Sequence, residues 1–173
     1  MNETLTMKDS VQAEIVGKGY NDLAKMIGTP ILTHRGSNGA IKGVRIIRNL
    51  IVSAGKAGMA SRLNGSGGEA AFTYLAVGTG TTSPAAGNTA LEAEITDSGL
   101  ARVNATASRV TTSVTNDTAR LTTTFTVTGT KAVTEAGILN AASTGTLLCR
   151  QVFSAVNVIN GDSLQLTYSV QNS

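Results

Sequence analysis

From Leu100 onward, apolar and polar residues alternate with a period of two. The first run has apolar residues at 101, 103, 105 and 107, and the second has Leu121, Phe125 and Val127 between threonines. This period predicts strands with one apolar face and one hydroxyl-lined face. Asn116 and Asp117 separate the two runs, and such turn residues predict a hairpin of residues 109–115 with 119–128.

Five further apolar runs predict strands at residues 44–52, 72–77, 133–139, 146–153 and 164–170. Glycine, asparagine and serine separate several of these runs, as in Ser143-Thr144-Gly145 and Asn160-Gly161-Asp162. About seven short strands divided by turn signals are typical of an antiparallel sandwich. We therefore expect a mainly β chain, an antiparallel β-sandwich of jelly-roll-like form.

Two short helices are predicted within this β pattern. Met59, Ala60 and Leu63 have helical spacing, so residues 53–63 predict a helix that Gly65 closes. Residues 88–95 predict a second helix, because Thr89 and Glu92 have the three-residue spacing of a capping box.

The N-terminal part has a different pattern. Val11, Ile15 and Val16 fit one helical face, and residues 21–27 predict a short helix that Gly28 and Pro30 stop. Residues 33–40 are glycine-rich and predict a loop. We expect residues 1–43 to be an N-terminal arm with local helix and residues 44–173 to be the β-sandwich domain. The arm has too few contiguous apolar positions for its own core, so it should order on assembly.

Charge is scarce and unevenly placed. Charged residues make up 14% of the 173 residues, against about 25% in an average protein. A surface this poor in charge favours burial against neighbouring subunits. Residues 1–62 have a net charge of +5, whereas the rest have −2. The cations Lys42, Arg45 and Arg48 are spread out and have no interleaved aromatics, which indicates a solvated strand edge or an acidic neighbour rather than direct nucleic-acid binding.

The residues needed for most catalytic and metal sites are missing. His34 is the only histidine, so no triad or two-histidine metal site is possible, and we expect a surface or interface residue in a loop. Cys149 is the only cysteine, which excludes an intrachain disulfide, and its apolar surroundings predict a small buried hydrophobic residue. We therefore predict no enzymatic activity, no catalytic, cofactor-binding or metal-binding residues, and no small-molecule substrate.

Three other polar features are expected to be structural. Glu92 and Glu94 diverge on the predicted helix, as solvated charges do. The Gly78-Thr79-Gly80 sequence follows a strand but lacks the remaining residues of a nucleotide-binding motif, so it predicts a tight loop. Glu135 interrupts an apolar strand and is expected to pair with Lys131 or Arg150.

Nothing in the sequence predicts secretion or a membrane span. Glu3 and Asp9 lie where a signal peptide would need an apolar run, and no stretch approaches about 18 consecutive apolar residues. We expect synthesis and assembly in the cytoplasm, with no membrane partner.

Several segments together resemble a module of tailed-bacteriophage virion proteins, found in capsid decoration or cement proteins and in tail or fibre proteins. They are residues 49–55 (NLIVSAG), 72–84 (FTYLAVGTGTTSP), 89–94 (TALEAE), 133–139 (VTEAGIL), 145–153 (GTLLCRQVF) and 161–168 (GDSLQLTY). The resemblance covers residues 45–170 and implies a virion structural protein with no catalytic residue. It does not extend to residues 1–44.

Three functions follow from these observations. The first is a capsid cement protein, whose arm binds major capsid protein, whose copies associate with one another and whose location is the virion. The second is a tail, baseplate or fibre component; the short chain has no fibre-like extension, which favours the first. The third is an enzyme or a sugar-binding domain, and the absence of tryptophan, histidine pairs and clustered acids disfavours it.

Overall fold

The computed structural model describes residues 26–172, in which ten β-strands and one α-helix form. The elements are β1 (Met26–Arg35), β2 (Ile41–Ile46), β3 (Leu50–Ile51), α1 (Ser53–Asn64), β4 (Tyr74–Gly78), β5 (Val103–Asn104), β6 (Thr106–Val110), β7 (Thr118–Thr126), β8 (Lys131–Leu139), β9 (Leu147–Val158) and β10 (Ser163–Asn172). The prediction of a mainly β chain is confirmed.

The strands form two antiparallel sheets of five strands each. Sheet I has the order β2-β1-β10-β7-β6, and sheet II has the order β3-β9-β8-β4-β5. The predicted strand at residues 44–52 is in fact two strands, since β2 belongs to sheet I and β3 to sheet II. The chain passes between the sheets again at Ala105, which lies between β5 and β6.

One apolar core contains residues from both sheets. In β10, Leu164, Leu166 and Tyr168 are fully buried, while the residues between them are only partly covered. The core cluster joins these residues to others of sheet I and sheet II, which include Leu32, Leu75, Val77, Leu121, Phe125, Val133 and Ile138. The period of two in the sequence therefore corresponds to one face turned to the shared core.

The opposite face of sheet I is lined by hydroxyl groups, as the sequence predicts. Thr122 of β7 is the register partner of Thr167 in β10 and of Thr106 in β6. The hydroxyls of Thr122 and Thr167 are 3.4 Å apart and form a hydrogen bond. Across β6, β7 and β10 this outer face is polar and carries little charge, so it presents few groups that repel another subunit.

The predicted hairpin is confirmed and its loop is well ordered by hydrogen bonds. Strands β6 and β7 pair from Thr106 opposite Thr122 to Val110 opposite Thr118. The Asp117 carboxylate accepts the backbone N–H groups of residues 112, 113 and 114 at 2.8 to 3.0 Å. The bond from the Val114 N–H, with those from Ser113 and Thr112, holds the pKa of Asp117 well below its usual range.

The helix at residues 53–63 is confirmed, but a different face is buried. Gly65 ends α1 with a φ of 71°, the left-handed conformation that glycine adopts without strain. Gly55 and Gly58 are the buried residues of α1. At Gly55 the helix lies against the Leu148 backbone so closely that a Cβ would overlap the Leu148 carbonyl oxygen. Leu63, expected on the packed face, is 91% exposed. The helix therefore packs through close backbone approach and not through an apolar stripe.

The predicted helix at residues 88–95 does not form. This segment has bends and one bridge, between Gly78 and Glu94. The predicted capping box is wrong because the Glu92 carboxylate accepts the backbone N–H and the hydroxyl of Thr82 instead, at 2.8 and 2.6 Å. Long-range partners thus outweigh the local helical pattern.

The predicted boundary of the N-terminal arm at residue 43 is also wrong. Residues 26–35 are strand β1, which lies inside sheet I between β2 and β10 and pairs with β10 along its whole length. The loop predicted at residues 33–40 is reduced to 36–40, and β2 begins at Ile41. Residues 26 and 27, expected to end a helix, begin this strand. The remaining helical predictions for the arm lie in residues 1–25, outside the described residues.

We predict that Leu166→Ala lowers the free energy of unfolding by about 2–5 kcal/mol, because it leaves a cavity where both sheets meet. Its neighbour Gln165 is on the outer face, so Gln165→Ala should change stability by no more than about 0.5 kcal/mol. Urea denaturation of the two variants measures both values. Equal losses would contradict the assignment of the two faces.

Candidate functional site

His34 is a buried strand residue and not a surface loop residue, which corrects the prediction. It lies on β1 with 8% of its surface exposed, and its Nε2 is 2.7 Å from Asp162 Oδ2. Lys42 of β2 donates to Asp162 Oδ1 at 2.8 Å. The bonds from Lys42 and His34 hold the pKa of Asp162 well below its usual range. This cluster fastens the β1–β2 pair to the turn before β10.

A second buried polar cluster centres on Glu135 of β8. Its Oε1 accepts the backbone N–H groups of Gly80 and Ala93 at 3.1 and 2.7 Å. Its Oε2 accepts the Glu92 N–H at 3.1 Å and Arg150 Nε at 2.7 Å. Glu135 and Arg150 are 0% and 1% exposed, so the ion pair is fully desolvated. The prediction that Glu135 pairs with Lys131 or Arg150 is resolved in favour of Arg150, since Lys131 binds Asp97.

Arg150 extends this cluster to the loop that follows β4. Its Nη1 donates to the Thr82 carbonyl at 3.0 Å, and its Nη2 donates to Glu92 at 3.1 Å. Glu94, expected to be solvated, forms an ion pair with Arg102, whose Nε lies 2.8 Å from it. The carboxylates at 92 and 94 are therefore structural, and each has a cationic partner.

Gly78 and Gly80 lie directly against the Glu135 carboxylate. A Cβ would lie 2.4 Å from Glu135 Oε1 at Gly78 and 2.6 Å from it at Gly80. The Gly78-Thr79-Gly80 segment is thus a tight loop, as the sequence predicts, and its glycines give the carboxylate access to the backbone N–H groups.

Cys149 is a buried hydrophobic residue, as expected. It is fully buried in the core, and burial raises the pKa of its thiol to about 12. Burial, with Cys149 adjacent, also raises the pKa of Tyr168. In this part of the core, the Tyr168 hydroxyl and the Asn49 amide find no hydrogen-bond partner among residues 26–172. A thiol held neutral in this way is a poor nucleophile.

Strand β2 is an exposed apolar edge of sheet I. Among the described residues it pairs only with β1, so its other edge presents free backbone groups. Ile41, Val44 and Ile46 are 56%, 46% and 72% exposed. The two basic residues of β2 are Arg45, which is exposed and in no ion pair among the described residues, and Lys42, which pairs with Asp162. Long apolar edges of this kind are pairing sites for another chain.

A cleft of about 450 Å³, here called the inter-sheet cleft, opens between α1 and the inner faces of both sheets. Apolar side chains form most of its wall, among them Met59, Phe72, Leu121, Ile138, Leu148 and Tyr168. Arg62 and Arg109 also line it. The sequence does not reveal the cleft, because its walls come from elements that are distant along the chain.

Metal-holding groups and membrane-spanning helices were looked for among residues 26–172. No group of three or more histidine, cysteine or acidic residues there is arranged to hold a metal ion. Across the same residues, no helix is long and apolar enough to cross a membrane. Comparison with protein-family models, with curated proteins and with solved structures found no match for this chain.

We predict that Glu135→Gln lowers the free energy of unfolding by about 3–5 kcal/mol, because it leaves the buried Arg150 guanidinium without its charge partner. The exposed carboxylate of Glu92 offers a control, and Glu92→Gln should have a clearly smaller effect. Thermal and urea denaturation measure both. A Glu135→Gln loss no larger than that of the control would contradict the central role of this ion pair.

We predict that Asp162 stabilises the fold less as the pH falls from 5 to 3. Its pKa is lower in the folded protein than the unfolded value of about 3.9, so its contribution is complete above that value and is lost on acidification. The stability difference between the wild type and Asp162→Asn should therefore shrink over this range, in urea titrations at each pH. Lys42→Met, which removes the main cause, should weaken the trend; a difference that grows on acidification would contradict it.

Proposed function

We propose that this chain is a non-enzymatic structural protein of a tailed-phage virion, and that it is a capsid cement protein which stabilises the head by binding major capsid protein. The resemblance of residues 45–170 to virion modules supports the location in a virion. The exposed edge strand β2 supports binding to another protein subunit. In this proposal the protein is made and assembled in the host cytoplasm and binds neither nucleic acid nor membrane.

The single observation that carries a packing function is the combination of free backbone groups and exposed apolar side chains on β2. Val44 and Ile46 pair in register with Thr33 and Ile31 of β1, so they continue the outer face of sheet I. A strand from another subunit that pairs with β2 would satisfy the free N–H and C=O groups and cover these side chains. Burial of one such side chain contributes roughly 1.5–3 kcal/mol before ordering costs.

The charges of β2 favour a different protein over a second copy at this edge. An antiparallel pairing of β2 with itself, centred on Gly43 and Val44, would place Arg45 opposite Lys42 of the other copy, and the Lys42–Asp162 ion pair would offset only part of the repulsion between the two cations. Like charges directly opposite each other destabilise strand pairs. Acidic side chains on a partner strand would attract the cations of β2. The proposed partner strand on major capsid protein therefore carries acidic residues.

Contacts between copies are part of the same proposal, and they use another surface. The outer face of sheet I carries the threonine row of Thr106, Thr122 and Thr167, which provides hydrogen-bonding groups without charge repulsion. The jelly-roll-like sandwich also belongs to this proposal, supported by the core that residues of both sheets share.

The test measures binding to phage particles that have been stripped of this protein. We predict that Ile46→Asp reduces co-sedimentation at least tenfold, because it places a charge on the apolar edge that the partner covers. Val114 is a matched control, since it is equally exposed, at 69%, but lies in the β6–β7 loop. Val114→Asp should bind like the wild type. Equal binding of all three proteins would refute β2 as the docking edge.

Deletion of residues 1–25 tests the arm in the same assay. The deletion ends before β1, so sheet I keeps all its strands. Full binding by this deletion together with loss of binding by Ile46→Asp would assign the anchor to β2 alone. Binding to tails only, or about a dozen or fewer copies per virion instead of hundreds, would replace the cement protein by the tail or baseplate component.

A further inference from the structure

We propose that the inter-sheet cleft binds a single-chain amphiphile with an anionic headgroup, of which a fatty carboxylate is representative. This inference is independent of the proposed role in the virion. It rests on the shape, the apolar walls and the charge of the cleft.

The cleft lies beyond Ala105 along β6. This residue is 9% exposed and closes the core between β5 and β6, while Ala107 and Arg109 farther along β6 line the open space. Phe72 and Met59 of α1 line the same space. The volume of about 450 Å³ falls within the usual range of small-molecule sites.

Its walls suit a hydrocarbon chain. Four core residues that are at most 7% exposed also line the cleft: Leu121, Ile138, Leu148 and Tyr168. Water gains few hydrogen bonds against such a surface, and a flexible alkyl chain covers it without needing any.

The charges of the cleft select the headgroup. Arg62, Arg109 and Arg120 line it, and no carboxylate does among the described residues. Within those residues Arg109 forms no ion pair, and the hydrogen bond of Arg62 goes to the backbone carbonyl of Glu69 at 3.0 Å. Guanidinium groups beside an apolar space bind a carboxylate or a phosphate and repel a cation.

The experiment uses the full chain and the anionic fluorophore 8-anilinonaphthalene-1-sulfonate, whose displacement reports binding. Dodecanoate should displace it, and the affinity should fall roughly tenfold for each two methylenes removed in decanoate and octanoate. Dodecyl phosphate, compared with dodecanoate, distinguishes a phosphate from a carboxylate headgroup. Dodecyltrimethylammonium has the same chain with a cationic headgroup and should not compete.

Two pairs of variants locate the site. Ala119 is exposed and lines the cleft, so Ala119→Leu should fill it and weaken dodecanoate binding at least tenfold, whereas Ala132→Leu, exposed on β8, should not. Arg109→Gln should weaken dodecanoate binding several-fold, whereas Lys56→Gln on the exposed side of α1 should not.

Three outcomes would overturn the proposal. One is equal displacement by dodecanoate and dodecyltrimethylammonium. Another is fluorophore binding that occurs only after residues 1–25 are deleted, which would assign the cleft to that segment. The third is binding that disappears as the protein concentration rises, which would assign the cleft to a second copy of the chain.

Discussion

The buried ion pair between Glu135 and Arg150 determines the path of the chain after β4. Residues 79–95 form no helix and only one bridge, so their polar backbone groups depend on partners from elsewhere. Glu135 accepts three backbone N–H groups of this segment, and Arg150 donates to one of its carbonyls. Held in this way, the segment places Leu91 and Ile95 over the apolar core. Side chains of two core strands, Glu135 of β8 and Arg150 of β9, therefore supply polar contacts of an irregular loop.

Sequence periodicity predicted the strands well because one side of each sheet faces a common core. The alternation in β7 and β10 carries that information within a few residues, so it is visible without the fold. The helix predicted around Thr89 and Glu92 failed for the opposite reason, since the partner that competes for this segment lies more than 40 positions away at Glu135. Pro30 was predicted to end a helix, but it lies within strand β1. Its carbonyl accepts a hydrogen bond from the Ile47 N–H, and this contact does not require the N–H group that proline lacks.

The candidate surfaces were less accessible to sequence reasoning than the core. The ion pair of Glu135 could be predicted to within two partners, because a lone acid in an apolar strand requires a cation nearby. The edge position of β2 depends on how the sheets are ordered, and the inter-sheet cleft depends on where they part. Neither property has a local pattern in the sequence; the spread of Lys42, Arg45 and Arg48 indicated only a solvated strand edge or an acidic neighbour.

Because Cys149 is buried, the rate at which its thiol reacts reports how often the structure opens around it. Its sulfur lies in β9, covered by the core and held as a thiol, so an alkylating reagent reaches it only when β8 and β9 part from their neighbours. Under conditions where reclosing is faster than modification, the labelling rate is proportional to the open fraction. One natural cysteine thus converts local opening of sheet II into a chemical rate, without any engineered probe.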